Sequence, residues 1–560
     1  MDYKKFIAEN LNVNGVTKEE LESFIEVPPN RDMGDYALPC FKLAKALRMP
    51  PVRIASDLAA AFNKGGVISE VNAVNGYLNF KVDRSGYAFS LIEDILNNGA
   101  GYGSSDEGKG KTVCIDYSSI NIAKPFHIGH LSTTVIGSAL YKIYNFLGYK
   151  AVGINHLGDY GTQFGKLIVA FKKWSSLDRV EKYRLKELTD IYVRFHQEAK
   201  LHPEMDDEAR HYFKLIEDGD KESVELFEIF KRITLEEVDK IYKMLNVTFD
   251  SYAGESFYND KMGAVIDELK EKNLLVKSDG AEVVDLKDYD MPPCLILKSD
   301  GSTLYATRDL AAAEYRKKTY DFYKCLYVVA YQQNLHFKQV FKVLELMGKP
   351  WAKDMVHVSY GMVSLESGAM STRDGNVVYL KDVIDKTVEK AKSVIEEKNP
   401  DIENKEETAR KVGTGAVIFS ALQNNKIKDI VFSYGRVLSF EGETCPYLQY
   451  TVARANSVLK KVGQPDGLGK TSLTDEEYAV IFELGRFKEC IKSAAEKYEP
   501  SIITRYALDL AAAYNKFYIG CKIAVGDNDV KNFRLSLTKA VKTVLTNALT
   551  LLGIETVEQM

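Results

Sequence analysis

The sequence predicts an α/β protein built on a doubly wound parallel sheet, with a helical insertion, a small N-terminal α/β module and an all-α C-terminal domain. Three observations predict it. A β-branched run at residues 112–115 is followed by a short loop, an apolar-periodic stretch at 131–146 and a second strand at 150–156. That is strand, helix, strand, and strands joined by a helix run parallel. A second strand–helix–strand set follows residue 293, after a long charged stretch of helical periodicity. From about residue 382 onward, apolar residues recur at three- and four-residue spacing with few β-rich runs between them.

The elements follow in order. Helical patterns at 3–10, 17–24, 41–47 and 52–62, a loop around Gly34 and a turn feeding a strand at 74–82 make up the first module, residues 1–100. Residues 99–110 are rich in Gly, Ser and charge and read as a linker. Residues 111–380 carry the Rossmann-type sheet, interrupted by the helical insertion at about 165–275. The chain returns to strand at 293–298, and Asp300-Gly301 predicts a hairpin turn into a second strand at 302–306. A helix (308–318), a strand (322–330), a helix (336–347) and a strand (356–363) complete the sheet, and residues 381–560 form the helical domain.

At 560 residues the chain holds several cores, and its 45% hydrophobic and 27% charged composition is that of a globular protein. The net charge of −5 excludes a whole-molecule basic field. Residues 451–560 carry 15 Lys+Arg against 13 Asp+Glu, so this part is +2 and the rest is −7. Such a C-terminal part permits nucleic-acid docking without demanding it. Seven scattered cysteines, none in Cys-x-x-Cys, argue for a reducing compartment and against structural zinc. No apolar leader or membrane-length run is present, which predicts a cytoplasmic protein without membrane contact.

The chemistry concentrates in four segments. In the first, Asp116 ends a strand and Asn121, Lys124, His127, Gly129 and His130 follow on the loop into a helix. A helix start offers unpaired N–H groups and partial positive charge, which suits a triphosphate, and two imidazoles add donors for charge developing on phosphorus. Gly129 leaves room for a flat base, and Lys124 reaches the same phosphates as a point charge. Two surface histidines at a helix start are the plain alternative. The second segment, residues 361–376, is Gly- and Ser-rich and contains Met370-Ser371-Thr372-Arg373.

The third segment sets Tyr305 and Asp309 four residues apart at the entry to a helix, with Gln333 just after the next strand. A phenol, a carboxylate and an amide on one rim suit a planar, multi-donor cation, and a guanidinium fits best. Asp309 alone reads better as a capping carboxylate. The fourth segment is His156-Leu-Gly158-Asp159-Tyr-Gly161-Thr-Gln163-Phe-Gly165, whose glycines allow close backbone approach and whose histidine also suits a core position.

Taken together, these segments and residues 440–450 resemble the class I arginyl-tRNA synthetases over nearly the whole chain. His-x-Gly-His is common to the class, whereas the long composite segments are particular to the family. The resemblance implies ATP-dependent joining of arginine to tRNA(Arg) through an arginyl-adenylate, with Mg²⁺ accompanying ATP as a substrate complex and no structural metal. It implies ATP contacts from His127, Gly129, His130, Met370 and Ser371, with His127, His130, Lys124 and Arg373 serving the reaction. Arginine contacts fall to Asp116, Asn121, His127, Tyr305, Asp309 and Gln333.

The N-terminal module is expected to touch the outer corner of the tRNA through Asn75, Tyr77 and Asn79. The helical domain is expected to bind the anticodon, with Tyr447, Tyr514 and Tyr518 as stacking platforms beside Tyr450 and Phe517. A monomer is expected. The chain departs from the family's second signature, Lys-Met-Ser-Lys-Ser: Ala369, Thr372 and Arg373 stand at its first, fourth and fifth positions, and Lys124 is the expected substitute. Ser132 replaces the usual arginine after His-Leu. The altered signature keeps open a non-catalytic tRNA-binding relative, and a synthetase for another amino acid or a small-molecule nucleotidyltransferase are the other rivals.

Overall fold

A computed structural model describes residues 3–30, 33–65, 67–124, 126–299, 301–365, 378–437 and 442–560. Met370, Ser371 and Arg373 lie outside the described residues, as do the rest of 366–377. By packing, the chain forms two compact units. One comprises Met1–Tyr102, Ala455–Arg486 and Asp509–Val544; the other comprises Gly103–Arg454, Phe487–Leu508 and Leu545–Met560.

In the first unit, Tyr3–Asn10 and Lys18–Phe24 are helices, and Thr17 and Glu20 form the reciprocal cap that starts the second. A three-stranded antiparallel sheet is ordered Tyr36–Pro39, Tyr77–Val82, Ile68–Val74. Asn75 and Gly76, at φ 50° and 82°, turn the chain between the last two strands. Positive φ at both central residues is the hairpin geometry that matches strand twist. The Ile68–Val74 strand escaped the sequence reading because Ser69-Glu70 and Ala73-Val74 break the apolar–polar alternation. The helix Arg84–Asn98 packs against the helix Asp475–Gly485, and Arg84 bridges Asp35 at 3.7 Å and Asp475 at 3.4 Å while lying 4.2 Å from the Tyr478 ring. Phe89 packs edge-on to Phe533. The first module therefore shares a core with residues of the helical region.

The second unit holds the parallel sheet, ordered Met355–His357, Lys324–Tyr327, Thr112–Asp116, Lys150–Ile154. All three pairings are parallel. Val113, Cys114 and Ile115 are fully buried, and full burial of one such side chain is worth about 1.5–3 kcal/mol. The helix Leu131–Phe146 makes the first crossover. The insertion is helical: Thr162–Trp174, Leu177–Tyr183, Leu185–Glu198, Glu204–Glu217 and Lys221–Met244, with Met262–Glu271 after it.

Two expectations change. The hairpin forms at Asp279-Gly280, at φ 47° and 82°, between Leu275–Ser278 and Ala281–Val284, with Cys294–Leu297 as a third strand. At Gly301 the chain makes one antiparallel bridge, Leu297 to Thr303, and Tyr305 already begins the helix Tyr305–Tyr320. The expected strand at 356–363 divides into Met355–His357 in the main sheet and Val363–Leu365, which pairs with Ile430–Phe432. From Leu380–Lys398 onward the described chain is otherwise helical.

Candidate active site

The site is built at the carboxyl ends of the central strands, where open α/β sheets bind ligands. Asp116 closes the strand Thr112–Asp116, opposite Ile154 on one side and Tyr327 on the other. The loop beyond it is unusual. Ser118, Ser119 and Ala123 have φ of 71°, 46° and 59°. Ser119 N donates to Tyr117 O at 3.0 Å, closing a three-residue turn around Ser118. Each such non-glycine conformation costs about 1 kcal/mol or more, so neighbours must hold it.

They do. Ser118 N donates to Thr133 Oγ1 at 3.0 Å, Thr134 Oγ1 donates to Ser118 Oγ at 2.9 Å, and the Tyr242 hydroxyl lies 2.8 Å from that same Oγ. Ala123 N donates to Thr234 Oγ1 at 3.0 Å. Thr234 and Tyr242 belong to the insertion helix Lys221–Met244, so the insertion braces the loop. Ser132, fully buried beside Thr133, has an Oγ without a hydrogen-bond partner among the described residues.

Asn121 pairs with Gly158 through backbone bonds: Gly158 N donates to Ile120 O at 2.8 Å and Ile122 N to Gly158 O at 3.2 Å. A Cβ at Gly158 would stand 2.3 Å from Asn121 Oδ1. The fourth sequence segment therefore supports the first. Gly158→Ala is expected to push the Asn121 amide aside and cost about 1–3 kcal/mol of stability by overpacking. Denaturant unfolding and the arginine KM of the variant check this; parental values for both would show that Asn121 moves freely.

The two histidines are locked to each other. Gly129 N donates to His127 Nδ1 at 3.1 Å, and His127 N donates to His130 Nδ1 at 3.2 Å. The rings lie 3.9 Å apart between centroids. Both Nδ1 atoms are acceptors, which assigns the proton of each neutral ring to Nε2. Burial lowers His127 to about 4, with the Lys124 charge adding to it, and burial and the neighbouring His127 lower His130 to about 3. Near pH 7 the pair is thus neutral, with two Nε2–H donors. Ile128 N donates to Val378 O, and Leu380 N to Phe126 O, both at 3.0 Å. The chain leaving the second signature segment is stitched to the histidine loop by these bonds.

On the helix Tyr305–Tyr320, Tyr305 is two-thirds exposed and Asp309 sits one turn further along the same face. Asp309 is no cap, because the helix begins four residues before it. Its Oδ2 meets His336 Nε2 at 2.5 Å. Burial pushes Asp309 up, but the His336 hydrogen bond and the charges of His336, His156 and Arg316 outweigh it and hold the carboxyl below its ordinary value. His336 lies three residues past Gln333, which is exposed on the turn Tyr331–Gln333. The Asp309–His336 bond therefore ties the Gln333 segment to the Tyr305–Asp309 face. His156 hydrogen-bonds Ala253 O at 3.3 Å, and burial lowers it.

Asp116 is corrected. Arg316 Nη2 donates to its Oδ2 at 2.7 Å and Ser119 Oγ to its Oδ1 at 2.8 Å, so both oxygens have partners inside the chain rather than facing an open pocket. Asn79 is also corrected: it is buried at 4% exposure within the small sheet, whereas Asn75 is exposed on its turn and Tyr77 is half-buried against Phe41. Tyr514 and Phe517 are fully buried, interior positions that cannot stack a base in this conformation. Tyr518 and Tyr450 remain 40% and 44% exposed, and Tyr447 is half-buried. Sequence reasoning missed Arg316, His336 and Glu255. Burial raises Glu255 to about 7 against the Arg308 charge, whose Nη1 lies 3.2 Å from it.

Known proteins match the chain along its length. Residues 91–434 match the model for "tRNA synthetases class I (R), catalytic domain". The chain belongs to the class I arginyl-tRNA synthetases. Residues 1–82 match the arginyl-tRNA synthetase N-terminal domain and 448–560 the DALR anticodon-binding domain. An arginine–tRNA ligase of Clostridioides difficile is 54% identical over 100% of both chains, and one of Alkaliphilus metalliredigens is 51% identical with the same coverage. The Thermus thermophilus arginyl-tRNA synthetase structure has a TM-score of 0.83 at 28% identity, covering 96% of each chain. The Plasmodium falciparum enzyme, at 23% identity, shares the fold with a TM-score of 0.78, over 96% of this chain and 94% of that one.

Proposed function

We propose that this arginyl-tRNA synthetase activates arginine with ATP and transfers it to tRNA(Arg). The arginine carboxylate attacks the α-phosphorus and pyrophosphate leaves, giving arginyl-adenylate. The terminal ribose of the tRNA, at its 2′-hydroxyl, then takes the arginyl group. Little covalent chemistry falls to the protein, so placement and charge dominate. The observation that carries this reading is the neutral His127–His130 pair on the loop after Asp116, together with an ionised, histidine-tethered Asp309 on the helix Tyr305–Tyr320. The paired Nε2–H groups suit charge developing on phosphate oxygens, and Asp309 suits a guanidinium, with Tyr305 and Gln333 completing its surroundings.

Lys124 supplies the positive charge that Ala369 and Thr372 do not, with Arg373 assisting it. Met370 and Ser371 serve the adenine side with Gly129, and Asn121 holds the arginine backbone. Mg²⁺ travels with ATP, bound to its phosphates. Residues 111–380 serve catalysis, 1–100 the outer corner of the tRNA through Asn75 and Tyr77, and 381–560 the anticodon through exposed aromatics such as Tyr518. The enzyme works in the cytoplasm as a monomer. A pocket built around a guanidinium rejects analogues that leave its polar groups unpaired, which removes the need for an editing domain.

The testing experiment is arginine-dependent ATP–pyrophosphate exchange with and without tRNA(Arg). Exchange that requires tRNA is the expected result. Folded protein that binds tRNA yet exchanges under neither condition would instead favour the non-catalytic relative.

A further inference from the structure

Arg316 is the largest fully buried side chain among the described residues, with 1% of its side chain exposed. It stands seven residues after Asp309, two turns along the same face of the helix Tyr305–Tyr320. Its Nη2 holds Asp116, itself 6% exposed on its side chain. Asp116 in turn accepts from Ser119, one of the three left-handed residues of the histidine loop. The Tyr327 ring lies 5.2 Å from the guanidinium. Nε and Nη1 of Arg316 have no hydrogen-bond partner among the described residues.

A guanidinium taken fully out of water for one carboxylate is a poor stability device, since apolar residues of similar volume usually serve as well. Its geometry serves position better. The helix that presents Asp309 is tied through Arg316 and Asp116 to the strained loop that presents Asn121 and His127. Strain of this kind persists only where neighbours over-determine it. We propose that Arg316 is a positioning residue whose grip on Asp116 and Ser119 couples arginine binding at the helix to ATP binding at the histidine loop. This rests on the site reading above.

The test uses the full-length enzyme in tRNA-containing exchange assays, with the arginine and ATP KM each measured at low and saturating levels of the other substrate. Arg316→Gln is expected to raise both KM values about tenfold and to remove most of the effect of one substrate on the KM of the other. Arg316→Lys keeps the charge and is expected to recover part of that coupling. Ser119→Ala breaks the second half of the clamp without stranding a charge, so it keeps the parental melting temperature while losing coupling. Asp309→Ala reports on the pocket separately: an unchanged arginine KM there means the pocket reading is wrong. The clamp is wrong if Asp309→Ala raises the arginine KM while folded Arg316→Gln and Ser119→Ala keep both KM values and their coupling within twofold of the parent.

Discussion

Asp309→Ala is expected to raise the arginine KM roughly a hundredfold or more while leaving the ATP KM within about threefold. The magnitude follows from the chemistry. Truncating one partner of a buried, hydrogen-bonded charge pair costs about 2–5 kcal/mol, and each 1.4 kcal/mol is tenfold in an equilibrium constant. His336 holds the Asp309 carboxyl ionised and oriented, which is the state the proposed guanidinium contact requires. Asp309→Asn separates charge from shape. It keeps the volume and one acceptor, so it should fall between parent and alanine variant in arginine KM. Steady-state exchange kinetics across arginine concentrations measure all three, and an alanine variant with a parental KM would sink the pocket assignment.

Replacing either histidine is expected to act on turnover instead. His127→Ala and His130→Ala each lower the exchange kcat by about 100- to 1000-fold, the usual consequence of removing a donor aimed at developing charge. The double variant should cost little more than the worse single one, because the two rings pack 3.9 Å apart and act as a unit. Both rings stay neutral down to about 4 and 3, so neither produces a step in the pH–rate profile between pH 6 and 8. Their stability linkage has a definite sign. The folded pKa values lie below the ordinary 6.5, so as pH falls the unfolded chain takes up protons first. Stability is lost as pH drops from 6.5 toward 4, and this loss should shrink in the His130→Ala variant. A melting series against pH reads it directly.

The parallel sheet was legible because β-branched runs and helical periodicity alternate along residues 112–158. The hairpin was not, because Asp-Gly occurs at both 279–280 and 300–301, and only strand pairing decides which one turns a ladder. The histidine loop and the Asp309 face could be read from spacing within single elements, whereas the bond between the two histidines came only from the structure. Arg316 could not. An arginine on a helix reads as a solvated cation, and its burial arises from a partner 200 residues away. The same limit explains Asn79 and Tyr514: periodicity identifies a polar or aromatic residue, but only packing shows that it faces inward.

The first compact unit has a consequence for synthesis. Its opening segment, through Tyr102, leaves the ribosome long before Ala455–Arg486 exists. At bacterial-to-eukaryotic elongation rates the wait is roughly 20–70 s. During that time Arg84 lacks Asp475 and Tyr478, and Phe89 lacks Phe533. The nascent module must therefore stay soluble on its own small sheet, and its final docking is a late event in biogenesis. Slowing translation late in the message would prolong exposure of that surface, making chaperone demand depend on codon choice hundreds of residues downstream.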